Sequence, residues 1–197
     1  MPKPAAKSSR SNTVRIIAGQ YRRRLLTFPD GDGLRPTPDR VRETLFNWLG
    51  QELHGLHCLD LFAGAGALGF EAASRGAARV VMIEMARPAQ QALRDNRALL
   101  GAQAVELVSA DAMAWLARCA DRFDLVFLDP PFASDLLPKA LALVVPLLND
   151  GARVYVESAK LPPLAGWETL REGKAGVVQY ALLRRSPAET NIEQESA

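Results

Sequence analysis

The stretch Cys58-Leu-Asp-Leu-Phe-Ala-Gly-Ala-Gly-Ala-Leu-Gly69 decides the fold, because it passes from a short apolar strand into a loop with three glycines. Those glycines, Gly64, Gly66 and Gly69, have the G-x-G-x-x-G spacing, and residues 70–75 continue in a helical pattern. Glycine lets a backbone turn tightly and approach a ligand closely. A strand, a glycine loop and a helix in this order predict an α/β sheet with a nucleotide-like ligand over the loop.

The segments that follow this loop alternate between two apolar patterns. Strands are predicted near residues 58, 80, 105, 125 and 153, and helices near residues 68, 87, 112 and 137. This alternation predicts a doubly wound, mostly parallel sheet with helices on both faces. Residues 167–171 and 177–184 then predict a closing antiparallel pair, which brings the sheet to seven strands.

The N-terminal part of the chain predicts a small extension of this core. Residues 13–18 and 23–28 flank Gly19-Gln-Tyr21 and predict a β-hairpin that projects from the core. Thr37 has the position of a helix N-cap, and Pro38 that of the first helical residue. We expect residues 13–50 to form the hairpin and helix, residues 51–185 to form the core, and residues 1–12 and 186–197 to be disordered basic and acidic tails. The buried stripe of the helix is predicted at Val41, Leu45, Trp48 and Leu49.

Acidic residues follow three successive strands of the predicted sheet. Glu84 lies twenty residues after Gly64, where such folds hold a ribose diol, and Asp111 has a position from which it can accept from an adenine amine. Asp60 precedes the glycines and is placed to meet the ammonium group of a methionyl moiety. The glycines and Glu84 alone are equally compatible with a dinucleotide-dependent oxidoreductase.

Residues Asp129-Pro-Pro-Phe132 close the apolar run 123–128 and predict a slot for a planar amine. The carboxylate of Asp129 and the carbonyl of Pro130 are suited to accept the two N–H groups, while Phe132 stacks on the base. Prolines fix φ and donate no N–H, so the carbonyl is held in one direction. A simple strand-ending turn explains the prolines equally well when they are taken alone. Together with the glycine loop, however, the slot favours methyl transfer over hydride transfer.

These segments resemble a known family. Residues 60–69, Ile83-Glu-Met85 and Asp129-Pro-Pro-Phe132 are similar to class I S-adenosylmethionine-dependent methyltransferases that act on exocyclic amines. Residues 15–26 and 34–49 resemble the bacterial RsmD family, which methylates a guanine-N2 of 16S ribosomal RNA. The similarity runs from about residue 13 to about residue 185, with Ala18 where the family has glycine.

The resemblance implies S-adenosylmethionine as the cofactor, and 16S rRNA or an assembling small ribosomal subunit as the partner in the cytoplasm. The cofactor is expected over Gly64 and Gly66, with Met85 against the adenine face. The predicted cofactor-binding residues are Asp60, Ala63, Gly64, Gly66, Glu84, Met85, Asp111 and Ala112.

Charge is concentrated in the N-terminal part of the chain. Residues 1–50 hold ten Lys or Arg and four Asp or Glu, whereas residues 51–197 hold fourteen and eighteen. A cationic face is suited to RNA phosphates, although a solvated charged surface has the same composition. The arginines predicted to contact RNA are Arg22, Arg23, Arg24, Arg35, Arg40 and Arg42.

Composition excludes several other classes of protein. The longest apolar run, residues 140–148, is far shorter than the roughly 20 residues that span a bilayer. We therefore expect no membrane partner. His54 and His57 lack a cluster of further ligands, so we also expect no metal site. Three alternatives remain open: an adenine-N6 methyltransferase on DNA or RNA, a methyltransferase of a protein glutamine amide, and a non-catalytic RNA-binding ribosome assembly factor.

Overall fold

The computed structural model describes residues 12–30, 36–131 and 134–186 of the chain. The predicted tails lie outside these residues except for Asn12 and Ser186, and so do Arg35 and Phe132. The elements in chain order are β1 (Asn12–Arg15), β2 (Leu25–Phe28), α1 (Asp39–Leu49), β3 (His57–Asp60), α2 (Ala67–Ser74), β4 (Arg79–Glu84), α3 (Arg87–Leu100), β5 (Val105–Ser109), α4 (Ala112–Leu116), β6 (Phe123–Leu128), α5 (Leu136–Val144), a 3₁₀ turn (Val145–Leu147), β7 (Leu148–Ser158), β8 (Trp167–Ala175) and β9 (Val178–Arg185).

Seven strands form one sheet in the order β5-β4-β3-β6-β7-β9-β8. The first five of these are parallel, and β9 runs antiparallel to both of its neighbours, β7 and β8. The predicted doubly wound, mostly parallel sheet with its antiparallel closing pair is therefore confirmed. The chain moves outward from β3 through β4 to β5 and then returns to β6, so the strand order reverses between β3 and β6. Ligands of such sheets bind in the crevice at this point.

Helices cover both faces of the sheet. Because successive side chains of a strand point to opposite faces, Phe127 packs with the α1 and α2 residues Phe46 and Phe70, whereas Leu128 packs on the other face with Leu137 of α5. The central strands β3, β4 and β6 are buried on both faces, as expected for parallel strands between helical layers. Among the described residues, no helix combines the length and the apolar composition needed to cross a membrane.

The N-terminal hairpin lies against the core, which corrects the prediction that it projects. Ile16 and Leu26 are fully buried in the main apolar cluster. The loop between the strands passes over the end of α2, where Gln20 N donates to Ser74 O at 2.6 Å. Gly19 has φ +78°, and a Cβ atom there would lie 1.9 Å from Ser74 O, so the close approach requires glycine.

Helix α1 begins one residue later than predicted. Pro38 is the residue at its N-cap, and Thr37 is buried with its hydroxyl directed at other parts of the chain. The predicted buried stripe is present at Val41, Leu45 and Leu49, with Trp48 partly buried. Arg42 and Phe46 are buried as well, which the apolar pattern did not indicate. The helix ends at Gly50, in the left-handed conformation that glycine favours.

Candidate active site

Acidic side chains mark the carboxyl ends of five neighbouring parallel strands. Asp60 and Glu84 are the last residues of β3 and β4, Asp111 and Asp129 follow β5 and β6, and Glu157 is the penultimate residue of β7. Because parallel strands end at the same edge, these residues share one edge of the sheet. The first four are predicted from the sequence, whereas Glu157 is not, although it too is an acid at a strand end.

The glycine loop joins β3 to α2 in a conformation that depends on glycine. Gly64 and Gly66 have φ values of +51° and +78°. A Cβ atom on Gly66 would lie 2.7 Å from both Leu93 Cδ2 and Phe70 Cδ2, so a side chain does not fit there. The loop is also tied to the sheet, because Ala63 N donates to Ile83 O at 3.0 Å.

Glu84 is held by three backbone N–H groups at the mouth of this loop. Its Oε2 accepts from Gly64 N at 2.9 Å, and its Oε1 accepts from Met85 N at 2.8 Å and Ala86 N at 2.7 Å. A carboxylate oxygen can accept two hydrogen bonds, so Oε2 retains capacity for a ligand hydroxyl. Met85 is 66% exposed beside it and offers a flat apolar contact. The arrangement suits the predicted ribose and adenine contacts, which remain predictions.

Asp60 lies beneath the loop and is almost completely buried. Its Oδ2 accepts from Gly69 N at 2.9 Å. No Lys, Arg or His side chain among the described residues forms a salt bridge with it. The pKa of Asp60 is raised from 3.8 to about 7, mainly by burial and also by the nearby charge of Glu84, while the Gly69 N–H opposes both effects. Such a carboxylate gains most from a cationic ligand group, as predicted for an ammonium.

Asp60→Asn is expected to stabilise the ligand-free protein more at pH 8 than at pH 5. Between pH 3.8 and about 7 the folded state retains a proton that the unfolded state has lost, so stability falls as pH rises. Asparagine cannot ionise and escapes this loss. The gain at pH 8 should exceed the gain at pH 5 by about 2 kcal/mol, or roughly 5 °C in Tm. Equal gains at the two pH values, measured by thermal melts, would contradict the raised pKa.

Asp111 caps the short helix α4 and remains partly available. Its Oδ1 accepts from Ala114 N at 2.8 Å, and the side chain is exposed. Ala112 is the first residue of that helix and is half-buried. The second carboxylate oxygen of Asp111 is the atom suited to the predicted adenine contact.

Asp129 follows β6 and is half-buried beside Thr37. Thr37 Oγ1 lies 3.3 Å from Asp129 Oδ2, which leaves Oδ1 for an incoming amine. Pro130 is buried, and the carbonyl of Pro131 accepts from both the N and Oγ of Ser134. Burial holds the pKa of Asp129 well above its usual range, and repulsion from Glu157 and Asp60 raises it further.

Arg42 does not face solvent, and the prediction that it contacts RNA is wrong. Its guanidinium is 0% exposed and donates to Thr37 O at 3.1 Å, Arg15 O at 2.8 Å and Asp39 Oδ1 at 2.6 Å. A fourth contact joins it to the buried carboxylate of Glu71 at 3.4 Å. Each of its three nitrogen atoms therefore has a hydrogen-bond partner inside the protein.

The other described arginines that were predicted to contact RNA are exposed, and three of them lie away from the amine slot. Arg22, Arg23 and Arg24 lie in the hairpin loop over the C-terminal end of α2, and Arg24 Nη2 donates to Leu99 O at the end of α3. Helices of such a sheet run opposite to the strands, so this loop lies at the edge remote from Asp129. Arg40 is exposed in the first turn of α1.

Comparison with known proteins supports the assignment of the fold and identifies the family. Residues 14–184 match the family described as conserved hypothetical protein 95. The chain is 47% identical over 191 residues to ribosomal RNA small subunit methyltransferase D of Escherichia coli K12, covering 94% of this chain and 96% of the relative. It is 42% identical over 178 residues to the protein of the same name from Haemophilus influenzae, covering 86% and 92%.

A solved structure agrees with these relatives. The candidate methyltransferase yhhF of Escherichia coli superposes with a TM-score of 0.80 at 46% identity, covering 89% of this chain and 99% of that one. The chain therefore belongs to the conserved hypothetical protein 95 family, the RsmD family of methyltransferases.

Proposed function

We propose that this protein uses S-adenosylmethionine to methylate the exocyclic N2 amine of a guanine in 16S rRNA, within the small ribosomal subunit or a precursor of it in the cytoplasm. The observation that carries the proposal is the placement of a glycine loop with Glu84 and of the Asp129 slot on opposite sides of the strand reversal between β3 and β6. Relatives named as small subunit rRNA methyltransferases support the choice of RNA.

The residues around the glycine loop fit the chemistry of S-adenosylmethionine. The loop has no room for a side chain at Gly66, Glu84 Oε2 retains acceptor capacity for a diol, and Asp60 is a buried carboxylate that lacks a cation among the described residues. When bound, this cofactor supplies a sulfonium methyl group that needs no further activation. Asp60→Asn is accordingly expected to weaken cofactor binding even though it stabilises the free protein.

The slot residues act on the amine. An exocyclic amine is a poor nucleophile because its lone pair is delocalised into the ring. Asp129 Oδ1 and the carbonyl of Pro130 are suited to accept one N–H each, which draws the nitrogen toward tetrahedral geometry and directs its lone pair at the methyl group. Charge-assisted bonds of this kind are worth about 1.5–3 kcal/mol. Phe132 lies outside the described residues, and its stacking on the base stays a prediction.

The experiment that tests this function is transfer of a labelled methyl group to four substrates side by side: small ribosomal subunits that lack the modification, protein-free 16S rRNA, DNA and a glutamine-bearing release factor. We expect label in the RNA of one or both ribosomal samples, recovered as N2-methylguanosine after digestion. Label in DNA or protein, or as N6-methyladenosine, would replace the proposal by the corresponding alternative. Calorimetric binding of S-adenosylmethionine without transfer to any substrate would point to a silent pocket.

We further propose that Arg22, Arg23 and Arg24 contact phosphates distant from the target nucleotide. Helices α2 and α3, whose ends lie under the hairpin loop, contain 8 and 14 residues and thus span about 12 Å and 21 Å from the slot edge. The arginines therefore lie too far from Asp129 to touch the reacting base. They are suited to a neighbouring segment of structured RNA.

Replacing Arg23 and Arg24 by Glu is expected to weaken RNA affinity about tenfold and to flatten its salt dependence by at least one unit of slope, because two phosphate contacts are lost. The turnover rate at saturating RNA should remain within about twofold of wild type. Replacing Arg171 and Lys174 by Glu on the edge strand β8 changes the net charge equally and serves as the control. An unchanged salt slope in the first variant, measured by filter binding, would remove the hairpin loop from the interface.

A further inference from the structure

A chain of buried oxygen atoms leads from the amine slot into the core. Tyr155 Oη donates to Glu157 Oε2 at 2.8 Å, and Thr37 Oγ1 lies 3.4 Å from the same oxygen and 3.3 Å from Asp129 Oδ2. Tyr155 is 0% exposed, Glu157 3% and Thr37 4%. Two carboxyl groups, at the ends of the neighbouring strands β6 and β7, are thus joined through one hydroxyl.

The number of protons limits how these contacts can form. A threonine hydroxyl has one proton to donate and can accept from a second group. If Thr37 donates to one carboxylate, its contact with the other becomes a hydrogen bond only when that other carboxyl carries a proton. The arrangement is therefore fully bonded when Asp129 and Glu157 share a single proton, on either of them.

The charges around the pair favour retention of that proton. Asp129 faces Glu157 from β7 and Asp60 from β3, and Glu157 faces Tyr155, which in turn packs on Tyr180 of β9 at 6.3 Å between ring centroids. These neighbours are acidic or neutral, and the guanidinium of Arg42, which donates to the backbone carbonyl of Thr37 at 3.1 Å, is paired with Asp39 and Glu71. Burial raises the pKa of both carboxyls, and repulsion between them raises the pKa of Asp129 further.

We propose that Glu157 is a positioning residue of the methyl-transfer reaction, which takes the shared proton through Thr37 so that Asp129 faces the amine as a carboxylate. This inference rests on the proposed function for the reaction that it serves. In the reactive state, Glu157 carries the proton and donates to Thr37, and Thr37 donates to Asp129. Asp129 Oδ1 then remains free and charged.

The proton balance of the reaction closes with this pair. The amine lone pair forms the N–C bond to the methyl group as the C–S bond breaks, and the electrons of that bond remain on sulfur as a neutral thioether. The methylated nitrogen then loses an N–H proton to Asp129 Oδ1. The pair now holds two protons, and one of them leaves to solvent with the product, which restores the shared proton.

Two substitutions are expected to shift the pH dependence of the reaction. In wild type the second proton of the pair can leave from either carboxyl, whereas in Glu157→Gln it can leave only from Asp129, whose pKa burial has raised. Gln retains a donor for Thr37, so the acid limb of the kcat/KM profile should move up by as much as about one pH unit. Thr37→Val removes the donor to Asp129, so the acid limb should move up. Thr37→Ser retains the hydroxyl and should restore the wild-type profile.

A second measurement does not depend on methyl transfer. Infrared titration of the ligand-free protein, in an Asp60→Asn background that removes the other buried carboxyl with a high pKa, should reveal one carboxylic acid still protonated at pH 7. With Glu157→Gln added, this signal should titrate at lower pH. If the wild-type protein transfers no methyl group but shows this infrared titration, the proposed function is contradicted and the shared proton is not.

Two results would overturn the inference. One is an acid limb that stays at the same pH in folded Glu157→Gln, and the other is an infrared titration that this substitution leaves unchanged. If Glu157→Gln does not fold, Thr37→Val and Thr37→Ser decide instead, and identical pH profiles for those two variants would overturn it.

Discussion

Asp129→Ala is expected to lower kcat/KM for methyl transfer at least about a thousandfold while S-adenosylmethionine binds within a few-fold of its wild-type affinity. The substitution removes both an acceptor of the amine N–H and the group that takes the proton. Proton transfer by a positioned side chain typically contributes 10²–10⁴-fold. The cofactor contacts predicted at Glu84 and Asp60 lie at the ends of β3 and β4 and are left in place. Single-turnover methyl transfer and calorimetric titration measure the two quantities separately.

Two further variants make this result specific. Asp129→Asn keeps an acceptor carbonyl but no charge, so its activity is expected between those of wild type and Asp129→Ala. Asp135→Ala removes an exposed carboxylate six residues later, which pairs with Lys139, and should leave activity unchanged. Full activity of Asp129→Ala would end the idea that residues 129–132 form an amine slot.

We do not expect a loss of stability to explain the inactivity of Asp129→Ala. Because burial raises the pKa of Asp129 above its value in the unfolded chain, ionisation of the native side chain lowers stability as pH rises. Removal of the carboxyl should therefore leave Tm at pH 8 unchanged or higher, after allowance for the small cavity. A loss of activity with a retained Tm then reports chemistry and not unfolding.

Much of the sheet, and four of the five acidic residues at its carboxyl edge, could be predicted from local rules. Strands between helical layers are continuous apolar runs, and the residue at the carboxyl end of each such run faces the ligand crevice, so Asp60, Glu84, Asp111 and Asp129 were all found from strand ends alone. Gly66 was found from the G-x-G-x-x-G spacing, and the structure gives the reason for the glycine, since a Cβ atom there would lie 2.7 Å from Leu93 and Phe70.

The remaining features depend on contacts between distant parts of the chain. Thr37 has the local sequence of an N-cap, but its hydroxyl contacts Glu157, 120 residues away. The hairpin has the local sequence of a projecting ribbon, but Gly19 packs against Ser74 and keeps the hairpin in contact with helix α2. Neither contact has a periodic signature, and a hydroxyl or a glycine alone gives no indication of the partner that it finds.

Arg42 gives the clearest case of a residue whose role depends on distant partners. Among the five arginines that were predicted to contact RNA and that the structure describes, it is the one buried in the interior, next to a carboxylate 29 residues away. Glu71 is also fully buried and accepts from Ile17 N at 2.8 Å, Ala18 N at 3.0 Å and Arg75 Nε at 2.8 Å. Arg42 and Glu71 thus connect two segments to helix α2: helix α1 and the loop that follows β1.

Arg42→Ala is expected to lower the free energy of unfolding by about 3–5 kcal/mol, because it leaves partners of a buried ion pair without their cation. For a chain of this length the loss corresponds to a fall in Tm of roughly 10 °C. Arg42→Lys should recover little, since a single ammonium cannot reach the carbonyl of Thr37, the carbonyl of Arg15 and Glu71 together.

Arg40→Ala on the same helix is the matched control, because that side chain is exposed and its removal should change stability by less than about 0.5 kcal/mol. The two variants separate structure from RNA binding. If Arg40 contacts RNA, its alanine variant loses affinity at constant Tm, whereas Arg42→Ala loses Tm and retains RNA affinity at temperatures where it is folded. A wild-type melting curve for Arg42→Ala would mean that the buried network contributes nothing, and weakened RNA binding by fully folded Arg42→Ala would return this arginine to the interface.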